Sequence, residues 1–412
     1  MSQIVPVRVH RSPGARRIVN IRSRIKPLRA ATMSMLVVAA SVQAQQPTTR
    51  ADLAWRYLLM DARYATADST GRLSDSTRAA LNRIFDRSTL SFFGGRFAMT
   101  AAMMDTAITL ADPSYRYERR ALPVDVRIGG RPVRLVRDEL LSRLTRLDSA
   151  GAPTASLVQP LAAARSRVML LVDTVSAERS AEFLAEPTAL ARAVTAEVAA
   201  LEKGRNPYAR REGDLWRSYR GTNGSTVPVR VIAPPGAASK SMGVLIALHG
   251  AGGDENMFAM AYGQGVAARL ARENNLLFVS PATTPFMSSA VQFDSLMAVL
   301  GRDYRIDPAR VYLMGHSMGA GAAARLAQER PQAIAAVACL AGGSAVTAAG
   351  APPMLFIGAA LDPIIPAARV KAAAAGTPTG TYEERGNEGH TLMVRGGVLR
   401  AVPWLLQHTR KP

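Results

Sequence analysis

Val311-Tyr312-Leu313-Met314-Gly315-His316-Ser317-Met318-Gly319-Ala320-Gly321 decides how this chain is read. An apolar run of strand character reaches G-H-S-M-G, and an alanine-rich run of helix character follows. The pattern predicts a strand that turns sharply into a helix with a serine at the corner, a G-x-S-x-G nucleophile elbow. So tight a turn forces Ser317 into a strained conformation and lifts its hydroxyl clear of the sheet edge. Gly315 and Gly319 flank it because side chains there would strike the neighbouring strand and helix. The helix N-terminus behind the serine favours negative charge developing beside it. A five-residue match can also be a Gly-rich turn with a solvent-facing serine, so the surrounding chain has to decide.

Outward from the elbow, residues 206–412 alternate short apolar runs with helical ones. Leu215–Arg220 and Val227–Ala233 flank a Thr-Asn-Gly-Ser turn and predict a hairpin at a sheet edge. Strands are expected at Gly243–Leu248, Leu276–Val279, Arg310–Met314, Ile334–Leu340, Met354–Ile357 and Thr379–Glu384. Helices are expected at Ala259–Glu273, Ser289–Tyr304, Ser317–Gln328, Ala367–Ala375 and near Val398–Gln407. Alternating β and α with apolar strands implies an α/β fold, a mostly parallel sheet covered on both faces.

A serine hydroxyl needs a base to act as a nucleophile. The chain has five histidines. His10 lies near the N-terminus, His316 adjoins the serine and points elsewhere, His249 ends a strand and His408 sits in the last helix. His390 lies in Gly386-Asn387-Glu388-Gly389-His390, a loop after the last strand, and is the candidate base. A base needs an orienting carboxylate on its other ring nitrogen. Asp362 follows the strand M-L-F-I-G, at the same sheet edge as Ser317. Glu383 and Glu388 compete, but the first lies in or at the end of a strand and the second is too near His390 in the chain. Leu248-His249-Gly250-Ala251-Gly252-Gly253 supplies glycine-rich backbone after a strand, where an oxyanion hole would stand. Its donors would be the N–H groups of Ala251 (or Gly252) and Met318. Asp254-Glu255-Asn256 reads as helix capping, not as a metal site.

These stretches carry a resemblance. Residues from about 210 to 412 resemble α/β-hydrolase serine esterases. Within them the chain is similar to the polyhydroxybutyrate depolymerase/feruloyl esterase and dienelactone-hydrolase-like group. The matching segments are H-G-A-G-G-D-E-N, D-Y-R-I-D-P-A-R-V-Y-L-M-G-H-S-M-G-A, L-D-P-I-I-P and G-N-E-G-H. The resemblance implies an α/β-hydrolase fold, the catalytic roles on Ser317, Asp362 and His390, and the oxyanion role on Ala251 and Met318. It implies hydrolysis of a carboxylic ester through an acyl-enzyme, with no cofactor and no metal. A serine in place of cysteine separates the chain from a dienelactone hydrolase proper. Met257, Phe258, Phe286 and Met287, together with Met318, are expected to line an apolar acyl site.

Residues 45–205 lie outside the resemblance and read as a mainly helical module. Helices are predicted at Asp52–Ala65, Asp75–Phe85, Asp138–Leu147, Ser156–Val175 and Pro187–Lys203, and another apolar segment runs from Phe97 to Leu110. Pro123 to Val136 reads as a β-hairpin around Gly129-Gly130. The segment holds no histidine and no repeat, so it predicts a packing, lid or oligomerisation role. Gly204-Arg205-Asn206-Pro207 marks the boundary.

Residues 1–44 carry eight Arg or Lys and no acid, then a short apolar run and Val42-Gln43-Ala44. That is the plan of a signal peptide cleaved near Ala44, and it predicts a secreted or periplasmic protein. The net charge of +20 is otherwise scattered, mostly as arginines beside acids, without a basic and aromatic block, and so argues against a nucleic-acid partner. No run of about 20 apolar residues exists to span a membrane. The single cysteine, Cys339, excludes an intrachain disulfide.

Four other readings remain. A prolyl-oligopeptidase-type peptidase would share the catalytic set, but residues 51–205 are too short and too helical for its propeller. An acyltransferase would pass the same acyl group to an alcohol. Gly319-Ala320-Gly321-Ala322-Ala323-Ala324 fits a dinucleotide-binding G-x-G-x-x-A, but its glycines fall inside the helix. A non-catalytic binding protein would have kept the hydrolase shell alone.

Overall fold

The computed structural model of the chain describes residues 48–118, 125–149, 155–172, 186–221 and 224–410. The expected leader and cleavage site lie outside the described residues. So do Pro123 and Val124 of the predicted hairpin, residues 173–175 of a predicted helix, and residues 222–223 of the predicted turn.

Three helices come first: α1 (Arg50–Ser69), α2 (Asp75–Phe93) and α3 (Phe97–Ala111). Thr49 and Asp52 form a reciprocal capping box at the start of α1, and Ser74 Oγ caps α2 through the Thr77 N–H. Met60 and Tyr64 of α1, Leu81 and Phe85 of α2 and Met104 and Ile108 of α3 share one buried cluster. Each pair is four residues apart, on one helix face. Leu392, from near the other end of the chain, is buried in the same cluster.

The predicted hairpin is shorter than its alternation implied. Strands β1 (Arg127–Ile128) and β2 (Arg131–Pro132) pair over two residues each, and helix α4 (Val133–Ser149) starts at once. Pro132 cannot donate to a ladder, and its fixed φ suits the entry to a helix. Val133, Leu140 and Leu144 recur at helical spacing and bury against α5 (Val158–Val168) and α6 (Pro187–Glu202). That burial outweighs the alternation of P-V-R-L-V.

The sheet contains β3 (Gly213–Arg220), β4 (Thr226–Ala233), β5 (Met242–Leu248), β6 (Leu276–Pro281), β7 (Ile306–His316), β8 (Ala336–Leu340), β9 (Met354–Ala359) and β10 (Gly380–Arg385). Their spatial order is β10-β9-β8-β7-β5-β6-β4-β3. The β3–β4 and β4–β6 pairs are antiparallel and the others parallel. Helices α7 (Val266–Glu273), α8 (Thr283–Phe286), α9 (Ala290–Asp303), α10 (Met318–Glu329), α11 (Ala367–Ala375) and α12 (Met393–Leu405) connect the strands or follow the last one. Along β7, Val311 and Leu313 join the core under α9, α10 and α11, whereas Tyr312 and Met314 join the core under α7 and α12. Successive side chains of a strand point to opposite faces, so a strand covered on both sides reads as one unbroken apolar run. Two leading antiparallel strands, then a parallel series with helices on both faces, make this an α/β-hydrolase fold.

The outer edge, β3, is covered by α5. The Gln159 side-chain amide accepts the Arg220 N–H at 2.8 Å and donates to the Arg220 carbonyl at 2.6 Å. Ser166 Oγ accepts the Ser218 N–H, and Arg167 donates to the Trp216 carbonyl. Side chains on one helix thus satisfy an edge that would otherwise offer itself to another chain.

Candidate active site

The elbow is built by close packing. β7 ends at His316, Ser317 stands at φ 55° and ψ −117°, and α10 begins at Met318. A Cβ on Gly315 would collide with the Gly319 carbonyl, and one on Gly319 with the Leu248 carbonyl. The positive φ of Ser317 is a conformation that side-chain-bearing residues rarely adopt. The Ser317 N–H donates to the Leu340 carbonyl at 2.9 Å, tying the turn to β8.

The structure brings Ser317, His390 and Asp362 into one hydrogen-bonded line. Ser317 Oγ lies 2.9 Å from His390 Nε2, and His390 Nδ1 lies 2.7 Å from Asp362 Oδ2. The other Asp362 oxygen accepts the N–H groups of Ile364 and Ile365 at 2.8 Å each. Those two bonds fix the carboxylate, which in turn selects the imidazole tautomer with its proton on Nδ1 and its lone pair toward the serine. The two competing carboxylates are engaged elsewhere: Glu383 pairs with Arg400 and Glu388 with Arg385.

Two further histidines hold the frame. Tyr262 Oη lies 2.8 Å from His316 Nδ1, and His316 Nε2 lies 2.9 Å from the His390 carbonyl oxygen. His316 satisfies both contacts as a neutral ring that accepts from the tyrosine and donates to the carbonyl. Burial lowers its pKa well below the ordinary value. His249 accepts the Thr283 N–H on Nε2 and donates through Nδ1 to the Gly250 carbonyl, which anchors the glycine-rich loop. His408 packs on Trp404, away from the serine.

Above the serine lies a cavity of about 240 Å³, lined mostly by apolar groups. Ala251 and Met257 line it. Met318 is the first residue of α10, where backbone N–H groups lack intrahelical partners. Phe258 and Phe286 do not reach the cavity; they are buried in the cores on opposite faces of the sheet, and Met287 packs against the second of these. Met257 and Phe258 are neighbours in the chain, yet one faces the cavity and the other the core.

The opposite wall comes from the N-terminal helices, through Leu53 and Tyr57 of α1, Phe85 and Phe92 of α2 and Met104 of α3. Sequence reasoning missed them, because apolar residues at helical spacing look alike whether they face a core or a cavity. It also missed Asn82 and Asp86. Asn82 Oδ1 accepts the Gly389 N–H at 2.8 Å, and Asp86 accepts the N–H groups of His390 at 2.7 Å and Thr391 at 3.3 Å. Burial pushes the Asp86 carboxyl up to about 7, against the His390 N–H that it accepts. One signal was available: Asn82 and Asp86 each sit beside a core residue, Leu81 and Phe85, four residues apart, so a polar pair shares nearly the same buried direction.

α1 docks in a similar way. Asp61 accepts the N–H groups of Gly263 and Gln264 at 3.0 and 2.7 Å, where the backbone turns left-handed. Burial raises this carboxyl to about 6 despite both bonds. Among the described residues, no group of His, Cys, Asp and Glu side chains is arranged to hold a metal ion, and no helix is long and apolar enough to cross a membrane.

Residues 285–393 match the family model described as serine aminopeptidase, S33. Among solved structures the chain is similar to a thermostable esterase, at 20% identity over 48% of this chain and 63% of that one, with a TM-score of 0.40. It thus spans less than two thirds of that esterase. An S-formylglutathione hydrolase from Staphylococcus aureus is 15% identical over 47% of this chain and 98% of its own, with a TM-score of 0.41. One from Agrobacterium tumefaciens is 18% identical over 48% and 96%, with a TM-score of 0.40. No curated protein matches the chain. Likenesses of this size carry no weight for the reaction, and the fold rests on the sheet itself. With that sheet the chain has the α/β-hydrolase fold, and the segment that matches the family model holds the elbow serine.

Proposed function

We propose that the protein is a serine hydrolase that cleaves carboxylic esters with an apolar acyl group. Ser317 Oγ attacks the acyl carbonyl while His390 Nε2 takes its proton. Asp362 orients the ring and stabilises the imidazolium that forms. The tetrahedral oxyanion is received by the N–H groups of Ala251 and Met318. His390 then returns the proton to the departing alkoxide, leaving an ester on Ser317. Water, deprotonated by the same imidazole, attacks that ester, and the acid departs as Ser317 recovers its proton.

One observation carries the reading: the Ser317–His390–Asp362 hydrogen-bond line opens directly into an apolar cavity. Its mostly apolar lining favours an acyl chain over a charged group. Purified protein is expected to release p-nitrophenol from p-nitrophenyl esters, and Ser317→Ala to abolish release without loss of folding. Undiminished turnover by that variant contradicts the proposal.

A second reading is aminopeptidase activity. It is favoured by the matched family, serine aminopeptidase, S33, and by Asp254, an acidic residue among those that line the cavity. Amino-acid p-nitroanilides separate the two, since only this reading predicts their cleavage at rates near those of the esters. The basic leader is part of the proposal as an export signal, and N-terminal sequencing of the mature protein tests it.

A further inference from the structure

We infer that Asn82 and Asp86 of α2 are positioning residues for His390, so that the N-terminal helices set the geometry of the base as well as walling the cavity. The inference rests on the serine-hydrolase reading above.

His390 sits in the connection between β10 and α12, where the backbone forms no ladder. Three consecutive N–H groups there, those of Gly389, His390 and Thr391, all donate to α2. Asn82 and Asp86 are 0% and 1% exposed, so the bonds are made out of water, where an unmet donor is costly. Asn82 is itself oriented, because its Nδ2 donates to the Arg78 carbonyl at 2.9 Å and thus turns Oδ1 toward Gly389. The one carboxylate of Asp86 takes two adjacent N–H groups and so fixes the direction of the peptide plane as well as its place. On the other side, His316 donates to the His390 carbonyl. The base is therefore gripped by its own backbone from α2 and from the elbow, while Asp362 holds its ring.

The fit is close. A Cβ on Gly389 would fall on the Asp86 carboxylate, so helix and loop approach as nearly as a glycine permits. Proton transfer depends on a distance of about 3 Å, and displacements near 1 Å cost roughly a hundredfold in rate. The three anchors on α2 hold the loop where Nε2 stands 2.9 Å from Ser317 Oγ.

The test compares Asp86→Ala, Asp86→Asn and Asn82→Ala with the wild-type full chain on one p-nitrophenyl ester. Active sites are counted by fluorophosphonate labelling, and folding is checked by thermal unfolding. Expected is a fall in kcat per folded molecule of about tenfold to a hundredfold for Asp86→Ala. A smaller fall is expected for Asp86→Asn, which keeps one acceptor, and for Asn82→Ala. KM should stay within about threefold, and the rate of fluorophosphonate labelling should fall in parallel with kcat, since both need the base at Ser317. Should Asp86→Ala fail to fold, the two milder variants carry the test. Unchanged kcat and labelling rate per folded molecule, with only the unfolding temperature lowered, overturns the inference and leaves α2 a packing element. If the wild type neither turns over ester nor labels at Ser317, the serine-hydrolase reading itself has failed, and this inference with it.

Discussion

The Asp86 carboxylate occupies the place where a side chain on Gly389 would begin. Helix α2 and the His390 loop can meet only because residue 389 is glycine. Gly389→Ala should therefore push the loop away from α2. Overpacking of a filled site costs about 1–3 kcal/mol. Activity should fall further than stability, because the displaced residue is next to the base. Thermal unfolding and kcat measured on the same preparation check both parts.

Ser317 is held at φ 55°, a strained conformation worth roughly 1–3 kcal/mol when glycine replaces the residue. Ser317→Gly should raise the unfolding temperature, while Ser317→Ala, which keeps the strain, should not. Both should lose activity. Calorimetry that finds the two variants equally stable contradicts the strain.

Asp362→Asn is expected to preserve the fold and lower kcat by roughly 10⁴. If the amide oxygen stays toward Ile364 and Ile365, its NH₂ group faces the Nδ1–H of His390 and drives the ring to the wrong tautomer. If the amide turns over, its NH₂ group meets two backbone donors instead. Circular dichroism with steady-state kinetics tests this.

The pH dependence of stability should report Asp86. Its carboxyl is raised by burial from 3.8 to about 7, so the folded state binds this proton more tightly than the unfolded chain. The stabilisation is complete below 3.8 and is lost as pH rises through about 7. Asp86→Asn is neutral at every pH and lacks this loss. The stability of the wild type relative to the variant should therefore decline from pH 4 to pH 8. Denaturant unfolding of both proteins across that range measures it, and a difference independent of pH contradicts the buried carboxyl.

Leu53 of α1 lines the cavity, so Leu53→Trp should shorten the acyl chain that the site prefers. One methylene in an apolar pocket is worth about 1–3 kcal/mol, or roughly 10–200-fold in kcat/KM. A series of p-nitrophenyl esters of increasing chain length reads the shift.

The strand-end residues were legible because each followed an apolar run at the same sheet edge: Ser317 after β7, Asp362 after β9 and His390 after β10. Chain order and a scarcity of histidines singled them out. Val133–Val136 misled, because four residues alternate in either a strand or a helix start, and Leu140 and Leu144 decided the matter. Phe258 and Phe286 misled for another reason. Proximity to a loop in sequence does not tell which way a side chain turns, and both turned to the core. Asn82 and Asp86 were hidden because their partners are backbone N–H groups about 300 residues away. A backbone donor leaves no mark in the residue letters, so only the folded chain could pair them.

The most direct measurement is peptide mass spectrometry of the protein after reaction with a fluorophosphonate. The proposal predicts one adduct per chain, on Ser317 within the stretch that begins at Val311, and none in Ser317→Ala. An adduct on another serine, or none on an intact folded chain, contradicts it.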